Sequence, residues 1–340
     1  AKELGHVCHC VSTVPSENPE KETFSRHCVE ALDTNDFSPE SSFLQFISDY
    51  IAENSIDVIH IHHSVLLYDA LPELRKRFPG LHVVDTTHII EYPNGGFPQI
   101  SARCSPNIDV HNVASQGLMR AQQEMYRRAF VKELGTRKFH LTYTSSLTAA
   151  HKHRQRVDSE SPKVIAFYGR FAAQKQPWVF VATIERLVEQ NPNQNVEAHF
   201  YGTGEMQGDL QRRISRSKFK DRFRLLGRND DKSEVFKRTD ILFLSSVNEG
   251  LRFTSFEALI YDRLVVCADV GDQGELVARE CLVPLTPAFI EEAAKRLEMF
   301  LTDNEKYSRA LARSKANLEK IRSREISPAR IDALYTMDKT

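Results

Sequence analysis

The reading of this chain turns on Asp240-Ile241-Leu242-Phe243-Leu244-Ser245-Ser246-Val247-Asn248-Glu249-Gly250-Leu251-Arg252-Phe253-Thr254-Ser255-Phe256-Glu257-Ala258. Asp240 to Leu244 is a short apolar run closed by two serines, the pattern of a strand buried on both faces. After a loop, Thr254 to Tyr261 reads as a helix. A buried strand that feeds a helix is half of a crossover unit, so a parallel sheet is expected around it. Glu249 then falls at the carboxyl end of the strand, and Glu257 eight residues later on the helix. Amide groups at the helix start favour an anion. Thr254-Ser255-Phe256-Glu257 also has the form of a capping box, in which Glu257 merely answers the Thr254 N–H.

The same alternation continues in both directions. Upstream lie strand Val164–Tyr168, helix Trp178–Asn191, strand Val196–Tyr201, a basic helix around Gly208–Lys218, strand Phe223–Leu226 and helix Lys232–Arg238. Downstream come strand Leu264–Ala268, a short strand Leu282–Pro284, and helices Ala288–Thr302 and Asn304–Arg322. The polar stretch His151–Lys163 marks a boundary. Before it, His6–Val11, Ile56–His62, Leu81–Thr86 and Phe139–Thr144 read as strands, and Phe43–Asn54 and Val113–Glu133 as helices. Thr87–Pro106, rich in Gly, Pro and Asn, reads as a long irregular loop of the functional kind. The whole is α/β, two doubly wound parallel-sheet halves with a ligand expected in a cleft at the carboxyl ends of their strands.

Composition removes several classes of function. The 340 residues suit two domains. Hydrophobic residues at 41% and charged residues at 27% exclude a disordered chain. With 45 Lys and Arg against 46 Asp and Glu, the net charge of -1 argues against a nucleic-acid binder. No apolar run reaches transmembrane length, and Ala1–His6 lacks the pattern of a signal peptide. Six dispersed cysteines are expected as free thiols in the cytoplasm. Cys8-His9-Cys10 reads as two small buried residues on one strand face rather than as a metal site.

Tyr168-Gly169-Arg170-Phe171-Ala172-Ala173-Gln174-Lys175 brings two cations to a strand end. An Arg fork and a Lys point charge there suit a diphosphate, although in isolation such a pair reads as solvated surface charge. Tyr201-Gly202-Thr203-Gly204-Glu205 follows another strand, where glycines admit a ligand close to the backbone. The run Arg212, Arg213, Arg216, Lys218, Lys220, Arg222, Arg224 and Arg228 reads as a solvated helix face or, in the sharper reading, as a patch for anionic lipid.

Taken in order, Gly169-Arg170 with Lys175, Gly202-Thr203-Gly204, the Glu249-to-Glu257 spacing, and Val265–Gly271 ending in Glu275-Leu276-Val277 resemble the sugar-nucleotide domain of family 4 (group 1) retaining glycosyltransferases. The resemblance covers 164–278 and implies a GT-B fold, two Rossmann-like domains facing a central cleft. Domains are expected at 1–155 on the acceptor side and 160–325 on the nucleotide-sugar side, with a tail at 326–340 packing back on the first. By this resemblance Arg170 and Lys175 hold the donor diphosphate and Gly202 and Gly204 approach the donor. Glu249 meets hydroxyls of the sugar, and Glu257 those of the ribose. Gly250 and the backbone of Leu251, Arg252, Phe253 and Thr254 bind sugar and phosphate oxygens. Arg252 stands where a glycine is common in the family.

In the first half the resemblance is looser. Val83-Val84-Asp85-Thr86-Thr87-His88 is similar to the strand whose terminal histidine reaches the donor sugar, and His62 or His63, with Gly95 and Gly96, falls on the acceptor side. The family's opening strand and Gly-rich loop are not found, which leaves the chain readable as one domain of a larger protein. The implied activity is retaining transfer of a sugar from a UDP- or GDP-linked donor to a carbohydrate or glycoconjugate hydroxyl. Glu249, His88, Arg170 and Lys175 carry the catalysis, no metal or other cofactor takes part, and the context is surface polysaccharide or glycoconjugate synthesis. Two rivals share these residues: a nucleotide-sugar 2-epimerase of the same fold, and a binding subunit without catalysis. The place expected is the cytoplasm, with peripheral contact at the inner membrane face.

Overall fold

Two units divide the chain, residues 1–144 together with 324–340, and residues 145–323. A computed structural model describes residues 4–14, 21–33, 42–90, 95–129, 139–143, 161–324 and 327–336 of it. The boundary expected at 151–163 lies, up to residue 160, outside the described residues.

The first unit runs β1 (His9–Val11), α1 (Lys21–His27), β2 (Glu30–Leu32), α2 (Phe43–Glu53), β3 (Val58–His62), α3 (Val65–Arg77), β4 (His82–Thr87), α4 (Gly96–Cys104), β5 (Val110–Val113), α5 (Gln116–Ala129) and β6 (Phe139–Leu141). Strands β3-β4-β5-β6 form a parallel sheet, and β1 pairs with β2 apart from it. Ser42 and Ser64 start α2 and α3, each accepting an amide hydrogen bond of 3.2 Å from the first turn. Ile47 and Ile51 of α2, and Tyr68, Leu71 and Leu74 of α3, then bury against Ile59, Ile61 and Val83 of the sheet.

Here two expectations are corrected. The loop expected at Thr87–Pro106 contains α4, whose Pro98 sits in the first turn, where a missing N–H costs nothing. Val110–Val113 is a strand, so the helix expected from Val113 starts at Gln116. Its polar His111 and Asn112 hide the strand from a hydrophobicity pattern, yet both are fully buried. His111 Nδ1 donates to Asp85 at 2.7 Å, and Asn112 Nδ2 donates to Thr86 Oγ1 at 3.0 Å. Buried polar groups are tolerated when paired in this way.

The second unit runs β7 (Lys163–Tyr168), α6 (Pro177–Gln190), β8 (Val196–Tyr201), α7 (Gln207–Ser215), β9 (Phe223–Gly227), α8 (Lys232–Lys237), β10 (Ile241–Leu244), α9 (Phe253–Ile260), β11 (Leu264–Ala268), α10 (Gln273–Leu276), β12 (Leu282–Val283), α11 (Phe289–Thr302) and α12 (Asn304–Arg322). Its six strands are parallel in the order β12-β11-β10-β7-β8-β9. That is the doubly wound order, with its reversal between β7 and β10, where ligands bind such sheets. Phe167, Phe180, Phe200 and Phe243 fill the core beside it, each at most 1% exposed.

The last helix, α13 (Pro328–Thr336), belongs to the first unit. His82 Nε2 donates to the Leu334 carbonyl at 2.9 Å, His60 Nδ1 meets the Tyr335 hydroxyl at 2.9 Å, and His6 lies 3.0 Å from Asp332. Leu334 packs on Val84 and Val110. No described helix is long and apolar enough to cross a membrane. In the basic run, Arg212, Arg213, Lys218, Arg224 and Arg228 each pair with a carboxylate, which favours the solvated-face reading.

Candidate functional site

The switch point of the second unit gathers the residues singled out by sequence. Lys175 follows β7 and Glu249 follows β10, neighbouring strands in the sheet. Their loops are stapled together. Val247 N donates to Gln174 O at 3.0 Å, Gln174 Nε2 to Asn248 O at 2.6 Å, and the Ser245 hydroxyl reaches the Lys175 and Gln176 carbonyls at 3.1 and 3.0 Å.

Across this staple Lys175 Nζ donates to Glu249 Oε1, and Arg252 Nη1 lies 3.4 Å from the same oxygen. The trio is cation, anion, cation, with an excess of one positive charge. All three side chains are largely buried, at 18%, 9% and 8% exposed. Burial, and next the Arg252 charge, pulls the Lys175 pKa down, and Arg170 adds to the effect. Arg170 itself is exposed and makes no ion pair with a described residue. Glu249 Oε2 makes no hydrogen bond among the described residues, so it stays open as an acceptor. The Arg252 side chain points into the protein, donating to the Tyr168 carbonyl at 2.7 Å and to Ser246 Oγ at 3.1 Å.

Helix α9 begins one residue earlier than expected, with Arg252 at the cap and no side chain closing its first amides. Thr254 is therefore inside the helix, and the capping-box reading is corrected. Thr254 Oγ1 and Glu257 Oε2 are buried without a hydrogen-bond partner among the described residues. Burial raises the Glu257 pKa, although Lys232 Nζ stands 3.6 Å from Oε2. Lys232 was not among the residues expected from sequence. It opens α8, lies 3.9 Å over the Tyr168 ring and donates to its hydroxyl. Its one sequence signal is position, a lysine at a helix start just past a strand of this sheet. Gln273 was missed as well; its amide bridges Gly250 O, at 2.7 Å, and Ser255 Oγ, at 3.0 Å.

Close backbone approach explains two glycines. At Gly202 (φ 151°), a Cβ would lie 1.9 Å from the Gly169 carbonyl oxygen. At Gly271 (φ 54°), it would lie 1.8 Å from the carbonyl oxygen of Glu249 itself. The loop after β11 thus presses directly on Glu249, within the loop that joins β10 to α9.

In the first unit, His62, His63 and His88 come together at the ends of β3 and β4. His62 Nδ1 lies 3.1 Å from His88 Nε2, and His63 Nε2 accepts the His88 amide at 3.1 Å. Gly95 and Gly96 open α4, which stacks Phe97 on His63 at 4.3 Å. Accepting that amide requires a neutral His63, and burial, reinforced by the neighbouring histidines, pushes His63 down to about 4 and His88 to about 3. The unfolded chain protonates near 6.5, the folded cluster only near 3 to 4. Stability from these groups is complete above pH 6.5 and falls as the pH drops toward 3. Melting temperatures across that range are expected to fall less steeply for His88→Asn than for the parent; equal slopes contradict the assignment.

Cys8 and Cys10 are only half-buried, which corrects their expected burial. No group of three or more His, Cys, Asp or Glu side chains among the described residues is arranged to hold a metal ion.

These features define a class of architecture before any family: GT-B. Solved structures of that class match at low identity. A glycosyltransferase from Rickettsia africae ESF-5 matches with a TM-score of 0.71 at 14% identity, over 98% of this chain and 89% of that one. Anabaena HepE, solved with UDP and glucose, gives 0.69 at 16%, over 96% and 92%. A mutant of S. aureus TarM, solved with Fondaparinux, alpha-GlcNAc-glycerol and UDP, gives 0.64 at 16%, over 86% and 59%. Residues 162–303, within the second unit, match the family model described as glycosyl transferases group 1, in agreement with the group 1 resemblance read from the motifs. An uncharacterized glycosyltransferase of Methanocaldococcus jannaschii is 30% identical over 101 residues, which span 30% of this chain and 24% of that relative.

Proposed function

We propose that this protein transfers a sugar from a nucleotide-diphosphate donor to a carbohydrate or glycoconjugate hydroxyl, with retention at the anomeric carbon and without a metal. The observation that carries the reading is uncompensated positive charge at the switch point. The Lys175–Glu249–Arg252 trio has one positive charge in excess, Arg170 is unpaired among the described residues, and the α9 amides are uncapped. A diphosphate is the anion such a site suits. TarM and HepE were both solved with UDP, which makes it the first nucleotide to try.

Bond breaking at the anomeric carbon sends the electron pair to the leaving phosphate oxygen. Arg170, Lys175 and the amides of Phe253 and Thr254 stabilise that charge as it develops, the work a metal does elsewhere. The acceptor oxygen attacks from the face the phosphate leaves, and its proton passes to the leaving phosphate oxygen. Glu249 accepts sugar hydroxyls through Oε2, and Glu257 accepts ribose hydroxyls through its open oxygen. Gly202, Gly204, Gly250 and Leu251 line the donor with backbone. In the first unit His88 serves the donor sugar, and His62, His63, Gly95 and Gly96 the acceptor. The reading places the reaction in the cytoplasm.

Titration with UDP and with GDP tests the donor site first. A saturable rise in melting temperature with one of them is expected, corresponding to about 2.7 kcal/mol at a hundredfold excess over Kd. No rise with either sinks the proposal. With a donor that binds, a transferred sugar supports the reading, an epimerised donor supports the epimerase, and binding alone supports the non-catalytic subunit.

A further inference from the structure

The second unit has a groove of about 790 Å³ at the opposite edge of its sheet from the donor loops. Strands β7, β10 and β11 run parallel, so Lys163, Asp240 and Arg263, at or just before their first residues, share the edge away from Gly169, Ser245 and Asp269. Helix α12 forms the facing wall, and half-buried Leu301 of α11 and Leu311 of α12 add an apolar surface.

The charges here are unevenly matched. Asp240 Oδ2 accepts the Val164 amide at 2.7 Å, and Asp262 pairs with Lys315, so both acids in the lining are engaged. Arg263 is 6% exposed, yet its side chain makes no ion pair or hydrogen bond with a described residue, and its Nε is buried and unpartnered. Lys163 has no ion-pair partner among the described residues either. A buried guanidinium N–H without a partner costs free energy until an acceptor reaches it. It persists here lining an open groove of the size that holds small organic ligands.

We propose that this groove binds a small organic oxyanion, a phosphate or carboxylate held by the Arg263 fork and Lys163, with its apolar body against Leu301 and Leu311. The site is separate from the donor site and independent of the reading given to it.

Calorimetric titration of the full chain with phenyl phosphate and with benzoate tests the proposal and separates the two headgroups. Saturable binding of at least one probe is expected. It is expected to persist in Lys175→Ala and to weaken about tenfold or more in Arg263→Gln, the loss of charge-assisted hydrogen bonds. No saturable binding of either probe overturns the proposal, as does binding that is indifferent to Arg263→Gln or abolished by Lys175→Ala. Should circular dichroism find Arg263→Gln unfolded, Lys163→Ala is read instead: weaker binding supports the site, and unchanged binding overturns it.

Discussion

Glu249→Ala is expected to abolish transfer and to cost the fold more than any other single change at the switch point. Both Lys175 and Arg252 lean on Glu249 Oε1. Removing the carboxylate leaves two buried cations facing each other with no anion between them. Losing one partner of a buried ion pair costs about 3 to 5 kcal/mol, because the remaining charge is stranded. Part of that is recovered if Lys175, whose pKa is already lowered, gives up its proton. Chemical denaturation measures the loss. Glu249→Gln keeps the shape and removes only the charge, so it separates a packing defect from an electrostatic one. Turnover near that of the parent in either variant, with any nucleotide sugar the parent accepts, would end the role assigned to Glu249.

Lys175→Ala should look different. Glu249 keeps Arg252 at 3.4 Å, a neutral pair, so the expected loss of stability is only about 1 kcal/mol. Activity should nonetheless fall about 100- to 1000-fold, the usual consequence of removing one stabiliser of developing negative charge. The sign of the stability difference is a test in its own right. If Lys175→Ala proves the more damaging to the fold, then Arg252 is not a working counterion for Glu249. In that case the excess positive charge on which the diphosphate reading rests is misassigned.

What the sequence disclosed follows from which interactions are local. Apolar runs such as Ile241–Leu244 and Leu264–Ala268 are buried on both faces, so composition alone marks them as strands. The switch-point loops sit directly after such strands, and the positions of Arg170, Lys175, Glu249 and Glu257 at the sheet edge are therefore legible in the chain itself. Val110–Val113 escaped because two of its four residues are polar, and their partners Asp85 and Thr86 lie about 26 residues away in the chain. The capping box at Thr254 was a local pattern that the fold does not use, since Arg252, held by Tyr168 and Ser246, takes the cap position two residues earlier. Lys232 and Gln273 were invisible for a related reason. Each acts on a residue of another loop, and nothing in its own neighbourhood marks it.

The return of α13 to the first unit has a consequence for biosynthesis. Residues 145–323 form an uninterrupted segment, so the second unit has all of its own chain once residue 323 has left the ribosome. The other unit, although its sheet is translated earlier, must wait for Asp332, Leu334 and Tyr335 to engage His6, His82 and His60. What emerges first is thus completed last, and until then Val84 and Val110 lack the Leu334 side chain that covers them.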